Sequence, residues 1–256
     1  MKLTNTKDQS LTKIKALVHG DSGIGKTTSL KTLPVDRTII ACRERSMIPL
    51  RHDKYDVLNI EKWEDVRTLL GLFVSPDAEH LKPLAGSVKG KDILVIDSLS
   101  GVSELCIQHI IQVDRKLLIG ERTDGKRKTP ENVYEDQMQM EDWGLYRTRM
   151  KNMLSAFTQL PIHIVMTALS SWAQDKNGSS VYRTPALNGK LAYECPAYFD
   201  LVLHMESTGT GNEETRVWRT FNDGETIAKD ASGALDRYEE SNWSKLFAKI
   251  LTGETK

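Results

Sequence analysis

Eight residues near the start of the chain, Gly20-Asp21-Ser22-Gly23-Ile24-Gly25-Lys26-Thr27, carry the pattern G-x-x-x-x-G-K-[ST] in full. Residues 13–19 (KIKALVH) before them read as a buried strand, and residues 26–33 after them read as a helix stopped by Pro34. In that setting the glycines let the backbone curl so that consecutive N–H groups point inward and hold phosphate oxygens. The helix N-terminus adds the positive end of its dipole. Lys26 can reach β- and γ-phosphates, and the Thr27 hydroxyl can ligate Mg²⁺. Residues Gly20 to Thr28 are therefore the candidate cradle for the triphosphate of Mg-ATP.

The rest of the chain continues the alternation. Residues 37–41 (RTIIA) and 92–97 (DILVID) read as apolar strands. Between them, Trp63, Val66, Leu69, Leu70 and Phe73 fall at helical spacing over 61–73. A loop is expected from Pro76 to Lys91, then a helix over 101–118 with Val102, Leu105, Cys106 and His109 on one face. A helix over 137–158 and a strand at 162–168 (IHIVMTA) follow. Further strands are expected at 199–206 and 215–221, a turn at Asp223-Gly224, and a closing helix over 241–252. This order predicts one α/β domain over 1–256: a mainly parallel central sheet flanked by helices, with antiparallel edge strands. Residues 1–12 are expected to be a flexible extension, and 120–136 and 171–190 to be mobile polar loops.

Composition narrows the function classes. Formal net charge is zero over 256 residues, so any nucleic-acid contact has to come from local clusters rather than bulk charge. The three cysteines, Cys42, Cys106 and Cys195, have neither disulfide-framework nor zinc-site spacing and suit a reducing cytosol. No apolar run approaches the ~20 residues that span a bilayer. The expectation is a soluble protein of the cytoplasm without a membrane partner.

A bound magnesium needs an acidic anchor, and Asp97 closes the DILVID strand in the Walker B manner. An Asp capping the following helix is the alternative. Hydrolysis also needs a group that takes a proton from water. The residue after Asp97 is Ser98 rather than Glu, so the acid is sought at another strand end. Glu44, just past the second strand, is the candidate, with Glu104 behind it. His163 reads as a satisfied core histidine. Met138, Met140, Met150 and Met153 read as packing along a helix, and Glu239-Glu240 as a solvated helix start.

The phosphate loop, a Glu after the second strand and the Walker B ending resemble the RecA-type ATPase core. Within it, the chain resembles the small core-only RecA-like P-loop ATPases of phages, which include single-strand DNA annealing proteins. GDSGIGKTTSL at 20–30, ILVIDSLSG at 93–101 and DWGLYRTRM at 142–150 carry this. So do HIVMTALSSWAQDKNG at 163–178, PALNGK at 185–190 and IAKDASGALD at 227–236. The resemblance implies a RecA-like fold, ATP and Mg²⁺ as ligands, assembly into a homo-oligomeric ring or filament, and single-stranded DNA as partner. It also implies work beside a single-strand DNA-binding protein in the host cytoplasm. Two axis-facing loops would bind DNA, one through Arg122, Lys126, Arg127 and Lys128, the other through Trp172, Lys176 and Arg183. Thr167 and Ser170, at the end of the 162–168 strand, would sense the γ-phosphate. Lys229 would act in a neighbouring subunit's site, although Ala231 stands where such assemblies often carry arginine; either Lys229 acts alone, or Arg237 or Arg219 substitutes, or activation in trans is weak. A P-loop kinase acting on a small molecule, with 120–128 as its lid, is the alternative enzyme. An interaction module that ATP merely holds together is the alternative binding protein.

Overall fold

The computed structural model describes residues 13–43, 47–114, 137–174, 181–209 and 214–252. Its sheet is built around β1 (Lys15–Gly20), whose six residues are all buried. Parallel to β1 on one side lies β5 (His163–Gln174), and on the other β7 (Leu201–Thr208). Beyond β5 come β4 (Ile93–Asp97), β2 (Thr38–Cys42) and β3 (Asp56–Asn59), again parallel. Beyond β7, β8 (Thr215–Arg219) and β10 (Tyr238–Glu240) run antiparallel. The short β9 (Lys229–Asp230) also pairs antiparallel with β7. The expected fold class is the one observed.

Continuous apolar strands such as ALV and ILVI require cover on both faces of the sheet. One face, with Leu17, Ile39, Leu94, Ile96 and Met166, packs under α2 (Trp63–Val74), α4 (Leu99–His109) and α5 (Met140–Thr158). The other, with Ala16, Val18, Ile40, Val95 and Leu203, packs under the segment after α1 (Lys26–Ser29) and under α7 (Trp243–Thr252). Each fully buried Leu, Ile, Val or Met contributes about 1.5–3 kcal/mol. The wall around the phosphate loop is thus held by both layers.

Several expectations shift. The polar segment 171–190 is not a loop throughout. β5 runs past the sheet to Gln174, and β6 (Val181–Pro185) returns antiparallel to it, so Trp172, Tyr182 and Thr184 serve as strand formers. The short helix α6 (Leu191–Glu194) follows. The loop expected over 76–91 contains α3 (Lys82–Val88), which accepts Pro83 because its first turn needs no N–H there. The helix expected from 101 begins at Leu99 and passes after His109 into a π-helical turn, Ile110–Asp114. Glu239 and Glu240 lie in β10, not at a helix start, because β8 pairs with them. Met150 and Met153 are core residues as expected, whereas Met140 is 84% exposed at the helix start. His163 is buried as expected, accepts the Ile14 N–H on Nδ1 at 3.1 Å, and stacks on Phe247.

Candidate functional site

The phosphate loop leaves the carboxyl end of β1. A Cβ at Gly20 would lie 2.9 Å from the Met205 carbonyl oxygen, so only glycine lets β1 and β7 pass this closely. Gly23 and Gly25 take φ of +77° and +110°, a conformation other residues adopt with strain. Ser29 N–H closes the first helical turn onto Gly25 O at 2.9 Å. α7 fixes that turn from outside: Trp243 Nε1 donates to Ser29 Oγ, and Trp243 N–H donates to Thr32 Oγ1. Buried Lys26 folds its ammonium back onto the Gly20 and Asp21 carbonyls, each at 2.8 Å. Lys26 is thus already placed inside the curl of the loop, bonded to weak acceptors that a phosphate oxygen outcompetes.

Asp97 is 8% exposed and clasped by two hydroxyls. Thr27 donates to its Oδ2 at 2.8 Å, and Thr167, fully buried, donates to its Oδ1. Three elements, α1, β4 and β5, therefore meet on one carboxylate. The helix-capping alternative for Asp97 falls, because Ser98 is the cap of α4 and accepts the Gly101 N–H. With its proton committed to Asp97, Thr27 Oγ1 keeps its lone pairs for a cation. Among the described residues no three His, Cys, Asp or Glu side chains gather into a metal cage. One carboxylate and a hydroxyl suit Mg²⁺, which retains waters and phosphate oxygens in its octahedron.

The other expected residues divide. Glu44 lies outside the described residues, as do Arg122, Lys126, Arg127, Lys128 and Lys176. Arg43, at the end of the described stretch before Glu44, binds Glu104 in an ion pair beside a cleft of about 310 Å³ lined also by Ser98, Ser100 and Leu169. Glu104 thereby has a structural partner, which weighs against it as the proton acceptor. Ser170 turns to His19, with Oγ 2.9 Å from Nδ1. Lys229 pairs with Val202, at the end of β7 remote from the phosphate loop, and its Nζ points at Pro196 O. Within its own chain it is not brought to the site. Arg219 is held by Glu206 and Asp223, and Arg237 lies 3.7 Å over the Phe221 ring. Trp172 is 60% exposed on β5, and Arg183 stacks on it from β6.

Two further neighbours of the loop are absent from the sequence-based candidates. His19 is fully enclosed, bonded to Ser170 and, through Nε2 at 2.7 Å, to Ile227 O. Burial first, then His204 beside it, lowers its pKa to about 3, so it is a neutral linker. A histidine inside an apolar strand directly before the glycine turn is the available signal. Arg216, exposed on β8, lays its guanidinium against Gly25, where a Cβ would meet Nη1 at 2.7 Å. Nothing in the local sequence marks that contact.

No curated protein matches the chain. Among solved structures, the flagellar accessory protein FlaH from Methanocaldococcus jannaschii aligns over 93% of this chain and 93% of its own, at 10% identity and a TM-score of 0.43. No described helix is long and apolar enough to cross a membrane. Residues 12–232 match the model of the family described as AAA domain. With a glycine-rich loop of the P-loop pattern and Asp97 bonded to its Thr27 at the sheet edge, the chain belongs to that AAA domain family and is a P-loop ATPase by class.

Proposed function

We propose that the chain hydrolyses Mg-ATP and uses the cycle to bind and release single-stranded DNA as a homo-oligomer, assisting annealing or recombination in phage replication or repair. The observation that carries the nucleotide half is the clasp of Thr27 and Thr167 on Asp97 beside the phosphate loop. Gly20 to Thr28 hold the phosphates by backbone N–H groups. Lys26 exchanges the Gly20 and Asp21 carbonyls for phosphate oxygens. Thr27 and Asp97 hold Mg²⁺, which neutralises charge on the phosphates when bound. Glu44 takes the proton of the attacking water, and Lys229 reaches a neighbouring copy's site. Thr167 ties the Asp97 carboxylate to β5 and makes that strand the reporter of the γ-phosphate.

The DNA half is supported by Trp172, an exposed indole on an arm that leaves the sheet beside the nucleotide site. Aromatic stacking with flanking cations is what sequence-tolerant binding of single strands requires. Arg122, Lys126, Arg127, Lys128 and Lys176 supply further cations in this reading. An ATPase assay with and without single-stranded DNA, read with the mass of the assembly, tests both halves. DNA-stimulated turnover by an oligomer is expected; turnover indifferent to DNA removes the DNA half. Lys26→Ala should weaken ATP binding on the order of 100-fold in calorimetry with the fold intact.

A further inference from the structure

Arg183, on β6 of the hairpin with β5, reaches the phosphate loop. Arg183 stands opposite Trp172 in the antiparallel pairing, so both side chains leave the same face. Its Cζ lies 4.7 Å from the centroid of the Trp172 ring. Its Nη2 lies 3.7 Å from Asp21 Oδ2, and its Nη1 lies 3.2 Å from His204 Nε2. A single planar cation therefore joins a residue of the loop, an exposed indole and a buried histidine.

The chemistry of each contact says which one gives way. His204 is 1% exposed, and burial, with Arg183 next, lowers its pKa to about 4. Its neutral ring accepts from Nη1 on Nε2 and so carries its hydrogen on the buried Nδ1. The backbone of Arg183 is fixed, with its N–H donating to Glu225 O at 2.6 Å. By contrast the Asp21 side chain is 62% exposed, and an ion pair that wet is weak and easily exchanged. Phosphate oxygens arriving in the loop next to Asp21 are stronger acceptors for a guanidinium than a solvated carboxylate.

We propose that Arg183 is a positioning residue that couples occupancy of the phosphate loop to the hairpin, by leaving its place between Asp21 and Trp172 when a nucleoside triphosphate binds. This rests on the nucleotide reading of the loop and is separate from the Thr167 link to Asp97. Arg183 approaches from β6 and acts on the loop's second residue, whereas Thr167 acts from β5 on the Walker B strand.

The test uses the full chain and ATP with Mg²⁺. Trp172 emission is isolated by subtracting the spectrum of Trp172→Phe, and affinity is measured in the same samples by calorimetry. The wild type should show a shift of Trp172 emission at saturating ATP. Arg183→Ala should bind ATP about tenfold more weakly, having lost a charged donor to the phosphates, and should lose the shift at saturating ATP. Arg183→Lys keeps a charge toward Asp21 but loses the flat stack, and should retain less than half of the shift; it decides the question if the alanine variant does not fold. A full shift in Arg183→Ala, or in Arg183→Lys where the alanine variant does not fold, overturns the coupling, and so does bound ATP without any shift in the wild type. Failure of the wild type to bind ATP overturns the nucleotide reading as well, which separates the two.

Discussion

Strand β5 contains two regions with opposite surroundings. From His163 to Ala168 every residue is buried, in register with β1 and β4; from Leu169 to Gln174 none is fully buried, and Ser170 to Gln174 pair with β6. The backbone geometry is the same and the cover is not. In the stem, side chains have helices above and below, so their contribution is packing. In the arm they meet water, and their contribution is contact with something else. The two polar residues proposed to sense phosphate straddle this boundary. Thr167, in the stem, is fixed on Asp97, while Ser170, in the arm, is fixed on His19. The rigid sheet therefore sets the geometry of the site up to Thr167, and any response to nucleotide belongs to the stretch beyond it.

The largest effect is expected in the stem. Met166→Ala deletes a fully buried side chain and should cost about 2–5 kcal/mol, read as a lower urea midpoint at unchanged slope. A cost under about 0.5 kcal/mol would mean the stem is not core. Acidification should come next. Native His19 takes up no second proton until pH falls to about 3, whereas unfolded histidine takes one up near pH 6.5. Between those values the unfolded chain carries more protons, so stability falls as pH drops below 6.5 and levels off near 3. At pH 5 the cost from His19 should be about 2 kcal/mol, and His204, lowered to about 4, adds in the same direction. His19→Asn should flatten the slope between pH 6.5 and 5 in urea titrations. An unchanged slope would show that His19 is protonated in the native state.

Legibility in the sequence follows the same boundary. The phosphate loop is readable because its constraint is local: glycines forced to positive φ between an apolar strand and a helix. Asp97 is readable for a related reason, as the polar end of an apolar run. The arm reads as a loop because it carries the polar residues Ser170, Ser171 and Gln174, and their pairing partners on β6 lie farther along the chain. Arg183 and Arg216 come to the loop from β6 and β8, far along the chain, and tertiary approach of that kind leaves no trace in spacing. Lys229 is a candidate by resemblance alone, and its place on β9 is compatible only with a role outside its own chain's site.

Two substitutions bear on the boundary itself. Thr167→Val keeps the shape and removes one of the two donors on a buried carboxylate, which should cost about 1–3 kcal/mol, nearer the lower figure because Thr27 remains. It should also lower Mg²⁺-dependent ATP affinity, measured by titrating the metal at fixed nucleotide. At the small end, Trp172→Ala should change unfolding free energy by less than about 0.5 kcal/mol, since the indole is 60% exposed. The same change should cost about 1–3 kcal/mol in affinity for single-stranded DNA, measured by anisotropy at fixed salt. Those two numbers bear on each other. A large stability loss would make the arm an extension of the core, and Trp172 a packing residue. Little loss of stability with undiminished DNA affinity would leave the arm a surface with some other partner. Only a small stability cost together with a large binding cost keeps the stem and the arm as distinct as their burial makes them.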